Sequence, residues 1–213
     1  VTAMSDYLDD FAEAQQTTRE GAVEGLKRQY DGYHFTWPSP DIFNPFSLLN
    51  AFQDRDYTNY WFSSGTPTYL IEMLRKFNVV PSDISQMQVL SSDFDAPTEN
   101  MASITPLLYQ SGYVTIKDYD RASRLYTLDI PNTEIRVGLM ESLLPHYVEM
   151  RKEAGNTTIA KMYLSLYRDN LDEMFRLLQS YRLIVPYCND ANSEGHYQQM
   201  LYVIFSLFGR YVE

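Results

Sequence analysis

Only one stretch of this chain, 113–130, sets two β-type runs on either side of a polar turn, so any sheet it forms must be small. Tyr113–Ile116 and Arg124–Ile130 alternate or run β-branched and aromatic, with Asp118–Ser123 between them. That pattern predicts a β-hairpin pairing Tyr113–Ile116 with about Leu125–Asp129. Elsewhere the apolar residues recur at helical spacing between start and stop signals. The expected fold is mainly α with one hairpin.

The helix signals are specific. Residues 3–15 read as a short acidic helix with Leu8 and Phe11 inward. Thr17-x-x-Glu20 has the form of a capping box before Ala22, Val23, Leu26 and Tyr30, and Asp31-Gly32 reads as the stop. Asn44-Pro45 and Thr66-Pro67 each place a cap before a proline at the first helical position. Ser103 opens a short helix that stops at Ser111-Gly112, and Pro131-Asn132 caps a long one that Pro145 should kink or end. Residues 79–100 read as mixed and partly loop. Two more helices are expected over about 157–167 and 170–182. The last, about 196–208, is apolar on most faces, which calls for cover on several sides. Between 103 and 136 the order helix, hairpin, helix outlines a winged-helix-like unit.

Composition narrows the chemistry. The formal net charge of −11 over 213 residues opposes non-specific attraction to a phosphate backbone. Residues 98–136 contain four basic side chains (Lys117, Arg121, Arg124, Arg136) against five acidic ones (Glu99, Asp118, Asp120, Asp129, Glu134), a net of −1. DNA binding through the hairpin therefore competes poorly with a packing role, and the 18 tyrosines also allow an acidic protein-interaction module. One cysteine, Cys188, rules out a disulfide framework within the chain and fits a reducing, cytoplasmic setting. No run of apolar residues is long enough to suggest a membrane span.

Catalytic signatures are missing from the sequence. No glycine is followed by lysine, so the phosphate-cradling loop of P-loop enzymes is absent. There is no His-Glu-x-x-His and no Cys-x-x-Cys, and His34, His146 and His196 are far apart. No metal site is readable.

Five segments carry a resemblance. They are Tyr30-Asp31-Gly32-Tyr33-His34-Phe35; Phe43-Asn44-Pro45-Phe46-Ser47-Leu48-Leu49-Asn50; Tyr60-Trp61-Phe62-Ser63-Ser64-Gly65-Thr66-Pro67; Leu107-Leu108-Tyr109-Gln110-Ser111-Gly112-Tyr113; and Tyr126-Thr127-Leu128-Asp129-Ile130-Pro131-Asn132. In this order they resemble the AAA-ATPase-like family, in which a P-loop core precedes the first segment and a PD-(D/E)XK nuclease-like domain follows the last. The resemblance covers nearly the whole chain. It implies a helical lid and connector, cut so that it carries neither the phosphate loop nor a complete nuclease site. ATP and Mg²⁺ are then implied for the longer protein and not for this segment. The implied division is 1–97, the end of the ATPase-like domain; 98–136, the winged-helix-like unit; 137–186, a helical connector; and 187–213, the start of the nuclease-like domain. The implied partners are the P-loop core and the nuclease-like domain of the same parent chain.

Three residues stand out as candidates. Glu194 matches a carboxylate near the start of the family's nuclease helix, and equally suits a helix N-terminus through the dipole. Asp31 and His34 sit in the first segment, where they could sense nucleotide state. The alternative is structural: Asp31-Gly32 ends a helix while Tyr30, Tyr33 and Phe35 pack in the core. For the C-terminal helix, the sequence leaves open a homodimer formed through it or its docking back onto 157–182.

Overall fold

A computed structural model describes residues 5–63, 68–97, 101–146, 152–184 and 193–211. They are mainly helical with one small antiparallel sheet. The chain forms two compact units, Val1–Val79 with Asp83–Arg136, and Val80–Ser82 with Val137–Glu213.

The first unit begins with three helices, α1 (Ser5–Ala14), α2 (Arg19–Tyr30) and α3 (Pro45–Asp54). Leu8 and Phe11 of α1, Ala22, Leu26 and Tyr30 of α2, and Ala51 and Phe52 of α3 share one apolar cluster. Phe11 meets Phe52 and Tyr57 edge-on, with ring centroids 5.9 and 5.0 Å away, the geometry that ring quadrupoles prefer. A Cβ on Gly25 would run into the Tyr57 hydroxyl, so the glycine lets Tyr57 pack closely against α2. Thr18, and not Thr17, caps α2: its hydroxyl accepts from the Gly21 N–H at 3.1 Å. Asn44 caps α3 as its sequence suggests, accepting from Phe46 and Ser47 N–H.

A short helix α4 (Tyr60–Ser63) and α5 (Thr68–Lys76) follow. The Thr66-Pro67 start signal lies outside the described residues. α5 buries Leu70, Ile71 and Leu74, at the expected spacing.

The expectation of partial loop over 79–100 misses a strand. Met87–Val89 forms β1, a 3₁₀ turn (Pro81–Ile84) precedes it, and a short helix α6 (Ser91–Phe94) follows. Next come α7 (Thr105–Gln110), β2 (Thr115–Asp120) and β3 (Leu125–Asp129). The sheet order is β1-β3-β2, all antiparallel, so β3 is central and Leu128 is fully buried. The hairpin forms, but two residues further along than expected. β2 starts at Thr115 and runs through Asp120, pairing Asp118 with Thr127 and Asp120 with Leu125. The physical reason is local. Asp120 gathers the turn with its carboxylate, accepting from Ala122 and Ser123 N–H, while Tyr119 and Tyr126 pair across the strands at 4.5 Å. The register breaks between Ile116 and Asp118, a bulge centred on Lys117.

α8 (Thr133–Leu143) begins in the first unit and runs into the second, where Pro145 falls in a 3₁₀ turn (Leu144–His146) that ends it. The second unit then adds α9 (Lys152–Tyr167), α10 (Leu171–Ile184), α11 (Ser193–Leu207) and a closing 3₁₀ turn (Phe208–Arg210). Val148, Pro186 and Cys188 lie outside the described residues. α11 resolves its ambiguous pattern by burying Met200, Val203, Ile204 and Leu207, leaving Phe205 46% exposed. Its end docks on α9: the Tyr163 hydroxyl donates to Tyr211 O at 2.7 Å, and the two rings stack at 4.8 Å. Tyr163 belongs to the 157–182 stretch, so the C-terminal residues pack back onto it. No described helix is long and apolar enough to cross a membrane.

Candidate functional site

The loop leaving α2 is where the first unit concentrates buried polar groups. Tyr30 ends α2 and Asp31 is its cap, with the Asp31 N–H donating to Lys27 O at 2.9 Å. Gly32 then takes φ +97°, and a Cβ there would lie 2.5 Å from Pro131 O. Both the backbone conformation and the close approach require glycine. Tyr33 exchanges two backbone hydrogen bonds with Ile42, which closes the loop. Tyr30 and Tyr33 are buried, as the structural reading expects. Phe35 is not: it is 67% exposed, because the Tyr33–Ile42 closure turns the chain outward after His34.

Two distant segments, β2 and the residue just before α8, clamp this loop by its backbone. The Thr115 side chain of β2 accepts from the His34 N–H at 2.7 Å and donates its own proton to His34 O at 2.8 Å. The bulged Lys117 sends its Nζ to Gly32 O at 2.6 Å and to Pro131 O at 3.3 Å. Burial depresses the Lys117 pKa, opposed by Asp41, Asp129 and Asp31 nearby. Asn132 donates from Nδ2 to Asp31 O at 3.0 Å, and its Oδ1 accepts from Ile135 N–H to cap α8.

Among the described residues, two carboxylates and one imidazole remain partly unpaired inside. Glu134 is fully buried in the first turn of α8. Its Oε1 accepts from the Ser47 hydroxyl at 3.0 Å and from Trp61 N–H at 2.9 Å, while Oε2 has no hydrogen-bond partner. Desolvation raises its pKa against those donors. Asp31 is also raised by burial, and its Oδ1 is unpartnered. His34 Nε2 lies 3.2 Å from Asp41 Oδ1, and its buried Nδ1 has no partner. The His34 ring also meets Trp37 edge-on at 5.1 Å. Beside His34 opens a cavity of about 480 Å³, walled by Tyr33, Phe43, Trp61 and Tyr109.

Of the three sequence candidates, Asp31 and His34 are brought together here. Glu194 is the second residue of α11, in the other unit. That is the first-turn place the dipole reading expects, and its side chain lies outside the described residues. Among the described residues no group of three His, Cys, Asp or Glu could hold a metal. Sequence reasoning passed over Thr115, Lys117 and Glu134. Lys117 did leave a signal, a lone cation breaking the apolar run Tyr113–Ile116. Glu134 left a misleading one, because an acid in a first helical turn reads as solvent-facing.

No family model matches the chain, and no solved structure matches it. Among curated proteins it is similar to one from Azotobacter chroococcum mcd 1 titled "Uncharacterized protein in vnfD 5'region", with 29% identity over 191 residues. That match takes in 86% of this chain and 36% of the relative, so the chain spans little more than a third of that protein's length.

Proposed function

We propose that this chain is the lid and connector of a P-loop ATPase, joining a nucleotide-binding core to a PD-(D/E)XK nuclease-like domain and supplying no catalytic group itself. The observation that carries this reading is the backbone clamp on residues 31–34. Thr115, Lys117 and Asn132 hold both peptide ends of His34 and the carbonyls of Asp31 and Gly32. A shift of the loop must therefore break those bonds or move the hairpin and the start of α8 with it. A surface loop with no coupling role has no need of three anchors, each 81 or more residues away.

Two further facts support the reading. The order β1-α6-α7-β2-β3 with sheet order β1-β3-β2 adds the third strand that a winged-helix-like outline calls for. The curated relative is long enough to hold other domains beside the matched span. The residues of this chain do not fit the phosphates of ATP. The sequence has no phosphate-cradling loop, and no Lys or Arg lines the cavity among the described residues. ATP and Mg²⁺ belong, on this reading, to the longer protein.

DNA binding gains nothing from the geometry. Of the four basic side chains in 98–136, Lys117 is engaged with two carbonyls and Arg136 lies 3.6 Å from Asp129. Arg121 and Arg124 remain, on a hairpin that also carries Asp118 and Asp120.

The test is made on the natural longer protein that contains this chain. Mg²⁺-dependent ATP hydrolysis is expected, with ATP changing amide hydrogen exchange at 31–35 and 115–132. Thr115→Val should leave ATP affinity intact and uncouple the second segment from the first. A longer reading frame without a phosphate-binding loop, or exchange in both segments indifferent to ATP, defeats the reading. So does micromolar ATP affinity in the chain alone.

A further inference from the structure

We propose that Glu134 is a proton-operated latch on α4: as a neutral acid it holds Trp61 closed against α3 and α8, and loss of its proton opens that junction. The inference does not depend on the lid reading, because it concerns one carboxyl group within the first unit.

The hydrogen bonds indicate which form of Glu134 the closed junction suits. Both donors, the Ser47 hydroxyl of α3 and the Trp61 N–H of α4, converge on Oε1 at 3.0 and 2.9 Å. Oε2 is buried with no partner among the described residues. A neutral carboxylic acid fits this arrangement, with Oε1 as its carbonyl oxygen and Oε2 as its hydroxyl. A carboxylate carries charge on both oxygens and would bury one of them bare. Among the described residues no Lys, Arg or His forms an ion pair with Glu134, and the residue is 0% exposed. Neither a counter-charge nor bulk solvent therefore meets Oε2 while the junction is closed, and opening is the route by which an ionised Oε2 gains water. Burial raises the Glu134 pKa against its donors, the direction this geometry requires.

The surrounding groups leave the step to Glu134. Tyr30 at the end of α2 and Tyr33 in the loop beyond it feel its charge, and Tyr60 of α4 adjoins Trp61. Burial pushes all three phenols above the ordinary tyrosine value, Tyr60 to about 12, so none of them changes charge before Glu134 does. Asp54 at the end of α3 and Asp56 beyond it act on Tyr60. Arg136, the cation nearest along α8, lies 3.6 Å from Asp129. The consequence falls on α4. The Trp61 ring meets Phe62 and Tyr113 edge-on at 5.0 and 5.1 Å and walls the cavity beside the loop, so release of its N–H unsettles that wall.

The experiment raises the pH of the 213-residue chain from 4.5, the ordinary glutamate value, and follows the Glu134 carboxyl carbon and the Trp61 backbone N–H by NMR. The carbon should titrate above that value. Between it and the observed midpoint, Trp61 N–H exchange, divided by the intrinsic rate of an open amide, should rise about tenfold per pH unit, then level off. Glu134→Gln offers a carbonyl to both donors and cannot ionise, so its Trp61 N–H should keep constant protection. Should that variant lose its far-UV circular dichroism, Trp37→Phe leaves Trp61 as the sole tryptophan, and its quenching by acrylamide should increase over the same range. A carbon midpoint at the ordinary glutamate value overturns the proposal. So does Trp61 protection or quenching that ignores the Glu134 midpoint, or a glutamine variant that opens with pH as the wild type does.

Discussion

The two ends of α2 sit in opposite kinds of interior. Along its length α2 packs Ala22 and Leu26 against α1 and α3 in a cluster built almost wholly from apolar side chains. Past its C-terminus the chain enters a region held by hydrogen bonds among Asp31, His34, Thr115, Lys117 and Asn132. The first interior draws on burial area and tolerates rearrangement, since dispersion and desolvation have no direction. The second depends on direction, and each of its groups costs free energy once its partner is taken away.

Substitutions can break or sharpen this contrast, and both tryptophans, Trp37 and Trp61, lie in the first unit to report on it. The largest effect is expected in the apolar interior. Phe11→Ala removes two edge-on ring contacts and leaves a cavity, and should cost about 3–5 kcal/mol in urea unfolding followed by tryptophan fluorescence. Gly32→Ala forces a side chain into a φ of +97° and against Pro131 O. The backbone strain alone should cost about 1–3 kcal/mol. If Gly32→Ala is neutral, the close approach on which the clamp depends is not rigid.

Thr115→Val keeps the shape and removes the hydroxyl, leaving the His34 N–H and C=O unpaired. A loss of about 1–3 kcal/mol is expected, with Thr115→Ser restoring most of it. A valine variant as stable as wild type would show that the polar interior adds no stability and that its hydrogen bonds are exchangeable with water.

The smallest effect is one of slope. Burial raises the Glu134 and Asp31 pKa values, so above the ordinary glutamate value of 4.5 the folded chain retains protons that the unfolded chain has released. Folding then binds protons, and stability declines as pH rises through the raised values. Glu134→Gln can keep an acceptor for Trp61 N–H and Ser47 while removing the titration. It should flatten the decline above pH 4.5, as seen in unfolding midpoints. Lys117 has the opposite sign, its lowered pKa favouring the folded state only toward alkaline pH.

The same contrast explains what could be read from residues alone. Helix α3 was legible because Asn44-Pro45 and the Leu48–Phe52 spacing act within ten residues of each other. The stop at Asp31-Gly32 was legible for the same reason, whereas Asp31 and His34 were singled out only through the resemblance. The clamp was not legible, because the partners of His34, Gly32 and Asp31 lie 81, 85 and 101 positions away and no local pattern pairs them. β1 escaped notice because three residues carry too short an alternation to be told from loop. The hairpin register slipped because the bulge at Lys117 serves a loop 85 residues upstream and not the strand itself.

The separation between Asp31 and Asn132 also has a consequence for biosynthesis. A ribosome adds roughly 5–20 residues per second, so the 101 residues between these partners take about 5–20 s to emerge. Over that interval α1, α2 and α3 already have every residue they need to bury Phe11 and Leu26, while the loop after Tyr30 faces solvent with its carbonyls and the His34 amide unmet. The nascent chain therefore carries a settled N-terminal bundle ahead of an unlatched segment, and that segment is where a holding chaperone or a protease would find this protein before its synthesis is finished.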